Sequence, residues 1–366
     1  MRTLLGVLIV LALAGCAVQQ RGLSPAEGRA RVAALMPGHV PDKDGWATDI
    51  YTALAVLDVE PTPDNICAVL SVTEQETGYK VDPVVPNLAA IAWKEIERQR
   101  AEMGIPKLLL DAALDLQSGN GRTYRQRLDA ARTERELSDI FEDMIGRVPL
   151  GKRFFGDRNP VRTGGPMQVA IEFAAQHARR RPYPYPVLES IRDEVFTRRG
   201  GMYFGIAHLF DYPVAYDRYL YRYADFNAGQ YASRNAAFQQ ALATLTGKPL
   251  ALDGDLVLPG AAAVGATEAA ARSLAAQLGM VPEQVRRDLE LEKRAEFSSS
   301  ELYGRLFALA DRRAGKPVPR AVVPSIELKS AKFTRKLTTA WFAQRVVERH
   351  RACLKRVSAR VSPGEG

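Results

Sequence analysis

The chain has 366 residues, of which 46% are apolar and 25% charged. That balance excludes a disordered or fibrous protein and leaves enough apolar surface for one elaborated domain or two small ones. The net charge of +8 gathers at the end, where twelve Lys and Arg stand against three Glu from Lys316 onward. The simplest reading of that tail is the solvated face of an amphipathic helix. Acidic lipid headgroups or cell-wall carboxylates are the alternatives.

In chain order, Met1-Arg2 gives a positive start, and residues 4–14 are an apolar run too short to span a bilayer about 30 Å thick. The run closes on Leu13-Ala14-Gly15-Cys16, which resembles the lipobox of bacterial lipoproteins. The resemblance implies that residues 1–15 are a signal peptide and that the Cys16 thiol carries a lipid. Residues 16–28 would then be the lipidated N-terminus and its tether. Ala17 and Val18 follow, with no aspartate to retain the protein at the inner membrane. The expected location is therefore the periplasmic face of a Gram-negative outer membrane, lipid-anchored. An ordinary secretory signal that happens to contain a cysteine is the plainer alternative. In that compartment nucleic acid is not an expected partner.

Helical periodicity then predicts helices around Ala33 and at about residues 46–57, 64–77, 87–103, 106–116 and 133–145. Residues 146–165, rich in Gly, Pro and Arg, read as a loop. Helices resume at 166–178, 187–198, 202–210, 215–224 and 233–246. A second helical segment covers 267–313, a Pro-rich joint 316–324, and a final helix 329–357. No alternation of period two is sustained, although a small hairpin fits 250–259. The expected fold class is mainly α. Cys67 and Cys353 remain once Cys16 is set aside. In an oxidising compartment they are either a disulfide closing a loop of nearly 290 residues or two separate buried thiols. The four histidines have no ligand spacing with the cysteines, so no metal or organic cofactor is expected.

The predicted helix at 64–77 carries the first chemistry. Asp64 suits an N-cap, and Ile66, Val69, Leu70 and Thr73 share one stripe. Glu76 lies at the edge of that stripe, and Gly78 supplies a stop. A carboxylate at the last turn of a buried helix is desolvated and meets the negative end of the helix dipole. Both effects raise its pKa, as a general acid requires. Glu74 points to the opposite flank and reads as exposed or paired.

Three strings then share one resemblance. Glu76-Thr77-Gly78-Tyr79 resembles the Glu-Ser-Gly-Phe signature of lytic transglycosylases in the lysozyme superfamily. Gly165-Pro166-Met167-Gln168-Val169 resembles that family's Gly-Leu-Met-Gln-Val. Tyr223-Ala224-Asp225-Phe226-Asn227-Ala228-Gly229 resembles its Ala-Ala-Tyr-Asn-Ala-Gly. Residues 201–210, with Tyr203 and His208, sit where the family has its Gly-x-x-Tyr-Leu helix. The resemblance covers about residues 46–245. It implies a lysozyme-like domain at 29–250 and a basic helical region at 251–366.

Two departures accompany it. Residue 165 follows residue 76 by about ninety positions, a far wider gap than the family's, which a helical insertion at about 87–145 would fill. Phe226 replaces a tyrosine, and Thr77 replaces a serine while keeping a hydroxyl.

What the resemblance implies is cleavage of the bond between N-acetylmuramic acid and N-acetylglucosamine in peptidoglycan. Glu76 would be the one acid/base, and the product would be a 1,6-anhydromuramyl end. Thr77, Tyr79, Met167, Gln168, Tyr223, Phe226 and Asn227 would bind the glycan. Tyr216, Tyr219, Tyr223 and Phe226 repeat at helical spacing, and a core stripe is the alternative to sugar stacking. Arg147, Lys152, Arg153, Arg158 and Arg162 could read stem-peptide carboxylates or simply be solvated. A muramidase would need a second carboxylate, with Glu189, Asp193 and Glu194 as candidates. A non-catalytic peptidoglycan-binding lipoprotein and an envelope-tethering factor are the other readings.

Overall fold

The computed structural model describes residues 23–147, 151–187, 189–258, 260, 263–328 and 336–361. The expected signal peptide and Cys16 lie outside them. The described chain is mainly helical, with two short antiparallel strand pairs. No described helix is long and apolar enough to cross a membrane.

The chain opens with α1 (Pro25–Leu35), α2 (Lys43–Val56) and α3 (Pro63–Glu76). A capping box between Ser24 and Glu27 starts α1 inside the expected tether, so the tether is shorter than the sequence suggested. The N-cap of α3 is Thr62, not Asp64: its hydroxyl accepts from the Asn65 amide at 3.1 Å, and Pro63 takes the first helical position. Asp64 falls in the first turn.

Every residue of α3 from Ile66 to Thr73 is buried. A helix that is buried all round belongs to the interior. Burying its Ile, Val and Leu side chains contributes roughly 1.5–3 kcal/mol each.

The stretch between the first two motifs holds α4 (Leu88–Glu102), α5 (Lys107–Leu114), α6 (Tyr124–Ala130) and α7 (Glu134–Arg147), so the expected insertion is helical. The expected loop that follows contains a short helix, α8 (Gly151–Phe155). Next come β1 (Thr163–Gly164) and β2 (Val169–Ala170), paired Thr163 to Ala170 and Gly164 to Val169. The helix expected from residue 166 begins only at Ile171. It is α9 (Ile171–Arg180), followed by α10 (Ile191–Val195), α11 (Arg198–Phe210) and α12 (Tyr219–Ala228).

The chain then builds a second core from α13 (Ala232–Thr246), α14 (Ala266–Ser273), α15 (Ala275–Leu278), α16 (Pro282–Leu289) and α17 (Glu301–Ala314). Among the described residues 250–259 hold no hairpin. The second strand pair is β3 (Glu327–Leu328) with β4 (Leu337–Thr338), which leads directly into α18 (Thr339–Val361).

The boundary expected near residue 250 is not where the cores divide. Phe238 and Leu242 of α13 already belong to the second core, whereas Phe342, Ala343, Val346 and Cys353 of α18 return to the first. Those α18 positions recur at helical spacing and form one stripe against α3 and α12. Cys67 and Cys353 are joined by a disulfide, with Cα atoms 5.6 Å apart, which ties α18 to α3.

Candidate active site at the C-terminal end of α3

Beyond its first turn, where Asp64 is exposed, α3 is enclosed as far as Thr73 and meets solvent again only as it ends. Glu74, Gln75, Glu76 and Thr77 are half-buried, after the unbroken buried run that precedes them. Glu76 is the last residue of the helix, and Thr77 is its C-cap. Gly78 turns the chain with φ +59°. Glu74 is paired with Arg349 of α18 at 3.5 Å, on the flank away from the stripe.

The second motif is brought to the first by one hydroxyl. Thr77 Oγ1 donates to the Pro166 carbonyl at 2.8 Å, across 89 residues of sequence. Gly165 has φ +71°, and a Cβ there would stand 2.1 Å from the Val195 carbonyl oxygen, so only glycine fits. Gln168 also lies in the left-handed region at φ +50°, which is uncommon for a residue with a side chain. Its amide nitrogen donates to the Gly165 carbonyl at 3.2 Å, and its Oε1 accepts from Thr163 at 3.4 Å. The Gln168 side chain is thus folded over its own hairpin and half-exposed.

The third motif ends α12. The Phe226 carbonyl accepts from His208 Nε2 at 3.1 Å, and Asn227 Oδ1 accepts from Thr339 Oγ1 at 2.8 Å. Burial pushes the His208 imidazole down to about 4, so it is neutral at pH 7 and can donate from only one nitrogen. Asp225, in the same string, is fully buried, and desolvation pushes its carboxyl up to about 6. It accepts from the Tyr216 and Tyr212 hydroxyls at 2.7 and 3.2 Å and from the Ser233 and Tyr231 amides at 2.6 and 3.2 Å. Walled in by four donors, Asp225 fixes the turn from α12 into α13 and cannot reach a substrate.

One helix touches the second and third motifs and the turn of α3 that leads into the first. Met202 of α11 lies 3.9 Å through its sulfur from the Thr73 hydroxyl, one turn before Glu76. Three residues on, a Cβ at Gly205 would stand 2.5 Å from the Met167 sulfur, so the missing side chain is what seats Met167. Three residues further, His208 holds Phe226. These contacts span seven residues of α11, roughly 9 Å of helix.

The residues expected to bind glycan divide by chemistry. Glu76, Thr77, Gln168 and Asn227 are half-exposed around this junction. Tyr79, Met167, Tyr223 and Phe226 are at most 8% exposed, which corrects their expected role as contact surfaces. Tyr79 donates its hydroxyl to the Leu70 carbonyl at 3.0 Å, and Tyr223 shares a hydrogen bond with His350 Nδ1 at 2.7 Å. Phe226 packs its ring against His208 at 5.1 Å. For Tyr223 and Phe226, the core reading of the aromatic stripe is the correct one.

Of the alternative carboxylates, Glu194 is buried and held by Arg199 and the Tyr183 hydroxyl at 2.8 and 2.7 Å. Asp193 accepts from Ser190 at the start of α10. The sequence reading missed Thr339 and Arg349, which reach the site from a region outside the resemblance. The cysteine pair is the signal that brings their helix to α3.

The fold class so defined is a mainly α protein with two cores and a polar junction at the end of its central helix. Residues 39–356 match the model of a family described as Protein of unknown function (DUF1615), and the chain belongs to that family. It is 48% identical over 356 residues to a protein of Escherichia coli (strain K12) described as the uncharacterized protein YaiW, covering 96% of this chain and 97% of that relative. No solved structure matches.

Proposed function

We propose that this protein is a lipid-anchored outer-membrane enzyme with a lysozyme-like domain that cleaves peptidoglycan glycan strands without water. Glu76 is its single acid/base. The observation that carries this reading is that one short stretch of α11 reaches the turn before Glu76, Met167 and Phe226, while Glu76, Thr77, Gln168 and Asn227 stay half-exposed around it.

In this reading Glu76 protonates the oxygen between the muramic and glucosamine sugars. The muramic acetamido oxygen stabilises the developing positive charge at C1. Glu76 then takes the proton of the C6 hydroxyl, which closes the 1,6-anhydro ring. One carboxylate suffices for this route, whereas hydrolysis by the usual mechanism uses two. Support for the one-carboxylate route comes from Glu74, Glu194 and Asp225, each committed to protein partners, while the exposed Glu189 is the carboxylate a muramidase would have to use. With its Oδ1 occupied by Thr339, Asn227 would present its amide as a donor to Glu76 or to the acetamido group. Gln168 would line the same groove from the hairpin.

The test is digestion of purified sacculi by the chain from Ala17 onward, compared with Glu76→Gln, with products read by mass spectrometry. Anhydromuramyl ends from the parent and at least a ~100-fold loss in the variant are expected, the scale for removing a positioned general acid. Reducing ends would make the enzyme a muramidase. Sacculus binding without release by either protein would make the junction a non-catalytic binding site. Anchoring is tested by incorporation of labelled palmitate into the full chain, expected to be lost in Cys16→Ser.

A further inference from the structure

The four inserted helices, with Phe155 and Arg158 beyond them, line a half-open cavity of about 210 Å³ that has no part in the junction around Glu76. Each contributes apolar side chains to it: Ile96 from α4, Leu110 from α5, Leu128 from α6 and Ile140 from α7. The packing around it is incomplete. Only Leu88 and Ala92 of α4 and only Leu114 of α5 are buried, although both helices carry longer apolar faces. Met103 and Leu109 line the cavity and are also exposed, at 36% and 61%, so its mouth is apolar. An unfilled void of this kind forfeits dispersion contacts along its whole lining, and apolar cavities of comparable size stay dry and accept hydrocarbons.

The rim supplies charge. Arg158 lies exposed at the cavity, whereas Arg100 there is paired with Glu97 at 2.7 Å and donates to the Ile105 carbonyl at 2.9 Å, and the nearby Glu95 is claimed by Arg98. We infer that the insertion binds a single acyl chain with an anionic head: the methylenes fill the cavity among Ile96, Leu110 and Ile140, and Arg158 meets the head.

The experiment is calorimetric titration of the chain from Ala17 onward, which retains every described residue, with saturated fatty acids from octanoate to palmitate below their micellar concentrations. Affinity is expected to rise roughly fourfold per added methylene until the cavity is full, the transfer free energy of one methylene converted to a ratio. Ala113→Phe, which places a ring in the cavity, should abolish binding, and Leu110→Phe is the second filling variant should the first not fold. Arg158→Glu should weaken fatty acids while sparing alcohols of equal length. The inference is overturned by no binding at any length. It is equally overturned by affinity that ignores chain length and survives both filling variants.

Discussion

Gln168 stands in a conformation that its own backbone disfavours. A side-chain-bearing residue at φ +50° carries a cost of about 1 kcal/mol or more, and glycine would avoid it. Such a residue persists where the surroundings impose the conformation, and here a hairpin closed by Gly165 and anchored by Thr77 imposes it. If the amide is kept for its contact with substrate, Gln168→Gly should leave stability within about 1 kcal/mol of the parent, since relief of strain offsets added chain entropy. Anhydromuropeptide release should nevertheless drop by an order of magnitude or more. A large fall in urea midpoint with activity retained would assign Gln168 to the fold alone. At this scale the motif strings located the junction but could not separate contact residues from supports. Met167 and Gln168 are neighbours in sequence, yet one is fully buried beside Gly205 and the other half-exposed. Gln168 is itself the left-handed residue, and it bonds back to Gly165, where the Val195 carbonyl thirty residues away leaves room only for glycine.

Between elements, the decisive pairing is α3 with α18. The sequence left open whether Cys67 and Cys353 were bonded, because connectivity across 286 residues depends on where the whole chain runs. Arg349 to Glu74, Thr339 to Asn227 and Tyr223 to His350 fasten the same helix at three further points. Joining the cysteines chiefly restricts the unfolded chain, and a loop this long sits near the upper end of the usual effect. The variant Cys67→Ala/Cys353→Ala should lose about 3–5 kcal/mol in urea unfolding, and the parent under reductant should shift by a similar amount. A shift below about 1 kcal/mol would mean that α18 is held by packing alone. Helix periodicity found most of the helices, including three of the four in the insertion. It missed α6, whose seven residues are too short to show a period; of the start expected for the last helix, 329–335 lie outside the described residues and α18 begins at Thr339.

The two cores are not laid end to end. The chain leaves the first at α12, builds the second from α13 to α17, and comes back with α18 to complete the first. Composition suggested a basic appendage beyond residue 250, and nothing local in the sequence could reveal that its last helix lies against the first core. The charge does not make the tail separable either, since Arg349 pairs with Glu74 and Arg356 donates to the Leu35 carbonyl at 3.0 Å. Ending the chain at Arg320 would therefore remove a wall of the first core. Phe342 and Val346 alone account for roughly 3–6 kcal/mol of burial, and the disulfide goes with them, against a usual total stability of about 5–15 kcal/mol. The truncated chain should lose its near-ultraviolet circular dichroism and unfold without a cooperative transition, and Glu76 chemistry should vanish with it. A true appendage would behave differently: its removal would leave a sharp transition within a few degrees of the parent and full release from sacculi. Scanning both chains by calorimetry separates the outcomes, because only a helix integral to the first core takes that core's cooperativity with it when it is removed.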